Sequence, residues 1–152
     1  MNLDTTWGEV ARAAVDLRDR LEQLGLASWP KTTGGKGLHV VVPITRRTEW
    51  EEARAFTQAV ARAMVADEPD RFTAKMTKSR RSGRVFVDYL RNARNATAIA
   101  EWSTRSRPGA PVAVPLSWDE VDRGADRLAR RRGGRHDSSS SSGVRCAPVR
   151  TM

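Results

Sequence analysis

Residues Leu38–Ile44 form an apolar run interrupted only by His39, and a glycine-rich stretch, Thr32-Thr33-Gly34-Gly35-Lys36-Gly37, leads into it. A short continuous apolar run of this kind reads as a central strand covered by other elements. A strand so buried needs helices to cover it, and the sequence supplies them on both sides. Thr6 with Glu9 three residues later makes a capping box, so a helix is expected over 7–24 with Val10, Ala14, Leu17, Leu21 and Leu24 on one face and Gly25 at its end. Thr48 with Glu51 predicts a second capped helix over 49–66, burying Ala53, Phe56, Val60 and Met64.

Residues 28–31 read as a short strand before the glycine loop. Further strands are expected over 71–76, 84–90 and 97–102, with a weaker one over 112–116. Ser117-Trp118-Asp119-Glu120 marks a helix start. The order is helix, strands, helix, then a run of strands. That order specifies an α+β fold in which a mixed or antiparallel sheet carries helices on one face. The character changes near Arg123. Arg130-Arg131-Arg132-Gly133-Gly134-Arg135 leads into the serine run 138–142, a composition that cannot build a packed core. The reading is therefore a domain over 1–122 and a disordered basic, Ser-rich C-terminal tail over 123–152.

At 152 residues the chain is long enough to bury a core. A single cysteine, Cys146, rules out an internal disulfide and fits a cytoplasmic setting. No apolar run reaches the ~20 residues that span a membrane, and Asp4 and Glu9 interrupt any signal-peptide core. The net charge of +9 points to a polyanionic partner, with nucleic acid foremost. The cations cluster: Lys75, Lys78, Arg80, Arg81, Arg84, Arg91 and Arg94 surround one acid, Asp88. Binding to DNA through such a patch would weaken steeply with salt. Trp7, Trp29 and Trp118 fit packing positions better than base-stacking ones.

Three glycines let backbone N–H groups approach an anion closely. Lys36 adds charge, Thr33 a hydroxyl, and His39 an imidazole at the loop's exit. The segment is no Walker A loop, because Lys36 is followed by Gly37 and a strand rather than by Ser/Thr and a helix. On its own it reads equally as a ligand-free hairpin. Asp88 lies in Val85-Phe86-Val87-Asp88-Tyr89-Leu90, where alternation puts it on one face with Phe86. A carboxylate there needs a partner. That partner is a cation of Arg84, Arg91 or Arg94, or else a divalent metal, which takes one or two carboxylates plus phosphate oxygens.

The stretches 24–40, 84–92, 97–108 and 115–120 together, in this order and spacing, resemble the polymerase domain of bacterial ligase D, the end-joining branch of the archaeo-eukaryotic primase superfamily. The resemblance implies a DNA polymerase or primase-like nucleotidyltransferase that adds nucleotides at double-strand-break ends. It implies Thr33, Gly35, Lys36 and His39 as triphosphate contacts, joined by Arg81 and Arg105, and Asp88 as a metal ligand. It further implies a two-metal site for Mg²⁺ or Mn²⁺, NTP or dNTP substrates, DNA ends as the partner with a ligase domain and a Ku-type end-binding protein nearby, and a nucleoid-associated location. The family's Asp-Leu-Asp pair of metal ligands falls on Asn2-Leu3-Asp4, so Asp4 is the second carboxylate and Asn2 brings only an amide oxygen. The chain opens with that motif under way, so the family's N-terminal part, which serves the DNA 5′-phosphate, is expected to be lacking. The abrupt tail suggests out-of-frame read-through. The alternative function is an inactive truncated fragment that only binds nucleotide or DNA.

Overall fold

In the computed structural model of the chain, residues 5–77, 83–123 and 143–150 are described, the last of these as backbone only. Helix α1, Trp7–Gln23, starts as the sequence predicts. Thr6 Oγ1 accepts the N–H of Glu9 at 3.3 Å, and the Glu9 carboxylate accepts the N–H of Thr6 at 2.6 Å. It ends in a Schellman motif, with Gly25 at φ +73°, Gly25 N–H donating to Glu22 O and Leu26 N–H to Leu21 O. Leu24 falls on the cap itself and stays exposed, whereas Val10, Ala14, Leu17 and Leu21 are buried.

Helix α2, Trp50–Asp67, is capped one residue later than expected. The Glu52 carboxylate accepts the N–H of Glu49, while Thr48 instead bonds the Thr45 hydroxyl. Its buried face is Ala53, Thr57, Val60, Ala61 and Met64, with Phe56 half-buried. Helix α3, Trp118–Asp122, carries the Ser117/Glu120 capping box.

Five strands form one mixed sheet in the order β1-β2-β5-β4-β3. They are β1 Trp29–Thr32, β2 Leu38–Ile44, β3 Phe72–Thr73, β4 Val85–Asp88 and β5 Gly143–Arg150. β1 and β2 are antiparallel; β2–β5, β5–β4 and β4–β3 are parallel. Leu38, Val40, Val42, Val85 and Val87 join one core cluster with α1 and α2, so both helices cover the same face. His39, Phe86 and Asp88 alternate to the other face.

One expected strand is absent. Residues 97–102 form no strand. Trp102 sits at φ +64°, and the Ile99 carbonyl is taken by the Lys31 ammonium at 3.0 Å rather than by a ladder. Beside it, residues 112–116 do run along the free edge of β1, through Thr32 N–H to Val114 O and Leu116 N–H to Pro30 O, both 2.9 Å. The expected tail, 123–152, includes one described strand. Gly143–Arg150 is a strand, because Val144, Cys146, Ala147 and Val149 give it the apolar positions that the Arg/Ser-rich stretch before it lacks. Residues 124–142 lie outside the described residues.

Candidate active site

The glycine loop closes on itself. Thr33 N–H and Thr33 Oγ1 both donate to the Gly37 carbonyl, each at 3.1 Å. The Thr33 hydroxyl proton is thus engaged within the loop, and its oxygen remains an acceptor. Gly34 takes φ +66° and is roofed by the segment 104–112: a Cβ there would lie 2.9 Å from Arg105 Cγ and 3.0 Å from the Pro111 carbonyl. Arg105 is anchored in that roof by its N–H to Pro111 O at 2.9 Å, and it reaches the Thr33 carbonyl through Nη1 at 3.4 Å. A Cβ on Gly35 would sit 3.8 Å from Arg107 Nη1. Thr33, Gly35, Arg105 and Arg107 therefore meet at one place, with Lys36 half-buried in the same loop. Arg107 is absent from the sequence-based set. Its signal was the Arg-Ser-Arg spacing, which sends both guanidinium groups from one short turn.

A second set lies on the sheet face away from the helices. Lys31 pairs with His39, His39 with Arg145, and Arg145 with Asp88, so these four residues hold one register position across β1, β2, β5 and β4. Directly paired residues share a face. His39 and Asp88 are two strand spacings apart, about 9–10 Å at ~4.8 Å per strand. Asp88 is 5% exposed. Its Oδ1 accepts the N–H of Leu90 at 3.0 Å, and its Oδ2 lies 3.9 Å from Arg91 Nε; a carboxylate is the ligand type that hard cations take. Arg84 turns instead toward Asp70, at 3.8 Å.

Lys31, which sequence reasoning left unassigned, is buried beside His39. Its ammonium donates to Glu101 Oε1 at 2.7 Å and to Ile99 O. The Lys31 hydrogen bond, with a backbone hydrogen bond at Glu101 itself, holds the Glu101 carboxyl below its ordinary value of 4.5. A depressed carboxylate stabilises the fold above its unfolded-state value and loses that contribution as pH falls through the folded one. Acid unfolding below about pH 4.5 should therefore be shallower in Glu101→Gln than in the wild type, and superimposable profiles would exclude the pair as a source of acid sensitivity.

Asn2, Asp4 and Arg81 lie outside the described residues. Among the described residues no group of three or more His, Cys, Asp and Glu side chains converges on a metal position. The donor chemistry present is one buried carboxylate, which fits a divalent ion that draws its other ligands from phosphate oxygens. Trp118 donates Nε1–H to Ser28 O and packs against the core under Arg18, as a structural tryptophan should. Trp29 departs from the packing expectation and is exposed, as is Trp102. No helix among the described residues is long and apolar enough to cross a membrane.

Comparison with known proteins shows the family. Residues 2–132 match the family model of the LigD primase-polymerase domain. Over 102 residues the chain is 45% identical to the multifunctional non-homologous end joining protein LigD of Pseudomonas aeruginosa, covering 67% of this chain and 12% of that protein. Over 111 residues it is 35% identical to the bifunctional LigD of Bacillus subtilis, covering 72% and 18%. The chain thus spans less than a fifth of the length of these relatives. The polymerase domain of Mycobacterium tuberculosis ligase D, solved in complex with DNA, superposes with a TM-score of 0.76 at 34% identity, covering 84% of this chain and 46% of that one. This chain belongs to the LigD primase-polymerase domain family.

Proposed function

We propose that this chain is the nucleotide-binding part of a DNA polymerase that extends 3′ ends at double-strand breaks in bacterial non-homologous end joining. The observation that carries the proposal is the meeting of Thr33, Gly35, Arg105 and Arg107 at one loop, on the same sheet as the His39–Asp88 row. Lys36 and the two arginines supply positive charge where a triphosphate would lie, and the glycines let its oxygens reach backbone N–H groups. In the reaction the primer 3′-hydroxyl gives its proton to water as its oxygen bonds to the α-phosphorus, the bond from that phosphorus to the α–β bridging oxygen breaks, and pyrophosphate leaves with the charge that these cations offset. Asp88, with Asp4 and more weakly Asn2, would hold Mg²⁺ or Mn²⁺, which would supply Lewis-acid stabilisation of the phosphoryl oxygens. DNA ends are the macromolecular partner, with a ligase domain and a Ku-type protein acting beside it.

Primer–template extension by the full chain with Mn²⁺ and either dNTPs or NTPs tests the reading. Extension supports it. Nucleotide binding without extension leaves a binding fragment, and neither activity defeats both. DNA affinity should fall with salt at about 0.9 log units per log unit for each phosphate neutralised. A flat dependence would remove the basic face from the interface.

A further inference from the structure

β2, which carries His39 and follows the glycine loop, is not bonded to β4, which carries Asp88. In the sheet order β1-β2-β5-β4-β3, the strand ladder between those two halves runs through β5. β5 comes from the end of the chain, yet it pairs with β2 at each position of Leu38–Ile44 and with β4 at Phe86, Val87 and Asp88.

Its register agrees with its sequence. Val144, Cys146 and Pro148 pair with Leu38, Val40 and Val42, which are all buried in the core cluster. Arg145 holds the position shared by His39 and Asp88, the charged row. A slip of one residue would set Arg145 against Leu38 or Val40 and reverse the alternation throughout, so the apolar pattern selects this pairing. Pro148, which a central strand would not tolerate, lies beyond the reach of β4, where β2 alone flanks the strand.

We propose that residues 143–150 are a positioning segment. They enter a slot between β2 and β4, close the sheet, and hold the glycine loop with His39 at a fixed two-strand distance from Asp88, with Arg145 as a further cation in that row. The role of this row in nucleotide binding rests on the function proposed above, whereas the strand insertion does not.

The sole cysteine, Cys146, tests the insertion in the intact chain. Its alkylation under native conditions should be at least about 100-fold slower than in denaturant, because residue 146 holds the register position paired with the core residue Val40, and a thiol at such a position reacts only on opening. Equal rates would overturn the proposal. In full-length Val144→Pro, Cys146 should become reactive and amide exchange in 38–44 and 85–88 should accelerate together, while α1 and α2 stay protected. Unchanged exchange in β2 and β4 would overturn it. If that variant unfolds entirely, the wild-type thiol rate decides. Arg145→Ala should weaken triphosphate binding about fivefold or more, against no change for Arg150→Ala at the far end of the strand; equal effects would remove Arg145 from the row. A wild-type chain that binds no nucleotide would refute the function while leaving the thiol and exchange results to judge the strand.

Discussion

Asp88→Asn should lower primer extension by about 100-fold or more, as expected when Lewis-acid stabilisation worth several kcal/mol is weakened. The substitution is mild in every other respect. Asn keeps the side-chain oxygen that accepts the Leu90 N–H at 3.0 Å, and it fills the same buried volume on β4. Folding stability should therefore change by about 1 kcal/mol or less. Asp88→Ala is the harsher control. It strips the acceptor from Leu90 N–H and should cost about 1–3 kcal/mol as well as activity. Triphosphate binding without metal should survive in Asp88→Asn, because the cations of the glycine loop and its roof are untouched. Extension at the wild-type rate in Asp88→Asn would end the case for Asp88 as a metal ligand. Loss of metal-free binding would instead mean that the carboxylate organises the loop.

Gly34→Ala should destabilise the fold by about 2–4 kcal/mol, the sum of left-handed backbone strain and overpacking. It should also weaken triphosphate binding about tenfold or more. Both effects have one origin. The backbone at Gly34 has φ +66°, and the space above it is filled by Arg105 Cγ and the Pro111 carbonyl. The Arg105 side chain can swing aside, but the carbonyl belongs to the 104–112 turn, whose bridge pairs Thr104 with Val112. Moving that turn pulls Arg105 off the Thr33 carbonyl and carries Arg107 away from Gly35. Gly35→Ala separates the two consequences. Its Cβ would meet Thr33 Oγ1 at 3.6 Å and Arg107 Nη1 at 3.8 Å, ordinary contacts, with no positive φ. Stability should barely change, while a methyl group on the phosphate side of the loop lowers affinity. Thermal unfolding and nucleotide titration of the two variants check this. Equal destabilisation would refute the roof as the reason for a glycine at 34.

Much of this molecule is legible residue by residue. The caps at Thr6 and Ser117, the stop at Gly25 and the core face of α1 are contacts between residues a few positions apart, so spacing alone predicts them. The one-residue shift of the α2 cap from Thr48 to Glu49 shows the limit of that logic, since two overlapping patterns compete and the turn before the helix decides. The misplaced strand at 97–102 shows another. Its composition suits a strand, but a buried Lys31 ammonium claims its backbone carbonyl, and no local pattern reports a partner 68 residues away.

The same division holds for the site. The glycine loop, His39, Arg105 and Asp88 are conspicuous as residue types in recognisable stretches, and the family they resemble is the family to which the chain belongs. Residue by residue, the chain already shows the element types, the alternation that puts Asp88 with Phe86 on one face of its strand, and the cationic character of the surroundings. Only the fold brings Arg105 over Gly34 and Arg107 to Gly35, sets the Lys31–Glu101 pair at the strand position beside His39, and puts the C-terminal strand between β2 and β4. Periodicity and capping are short-range effects written into neighbouring residues. Strand order and the roofing of a loop are long-range choices, set by which distant segments together bury the most apolar surface and pair the most backbone groups.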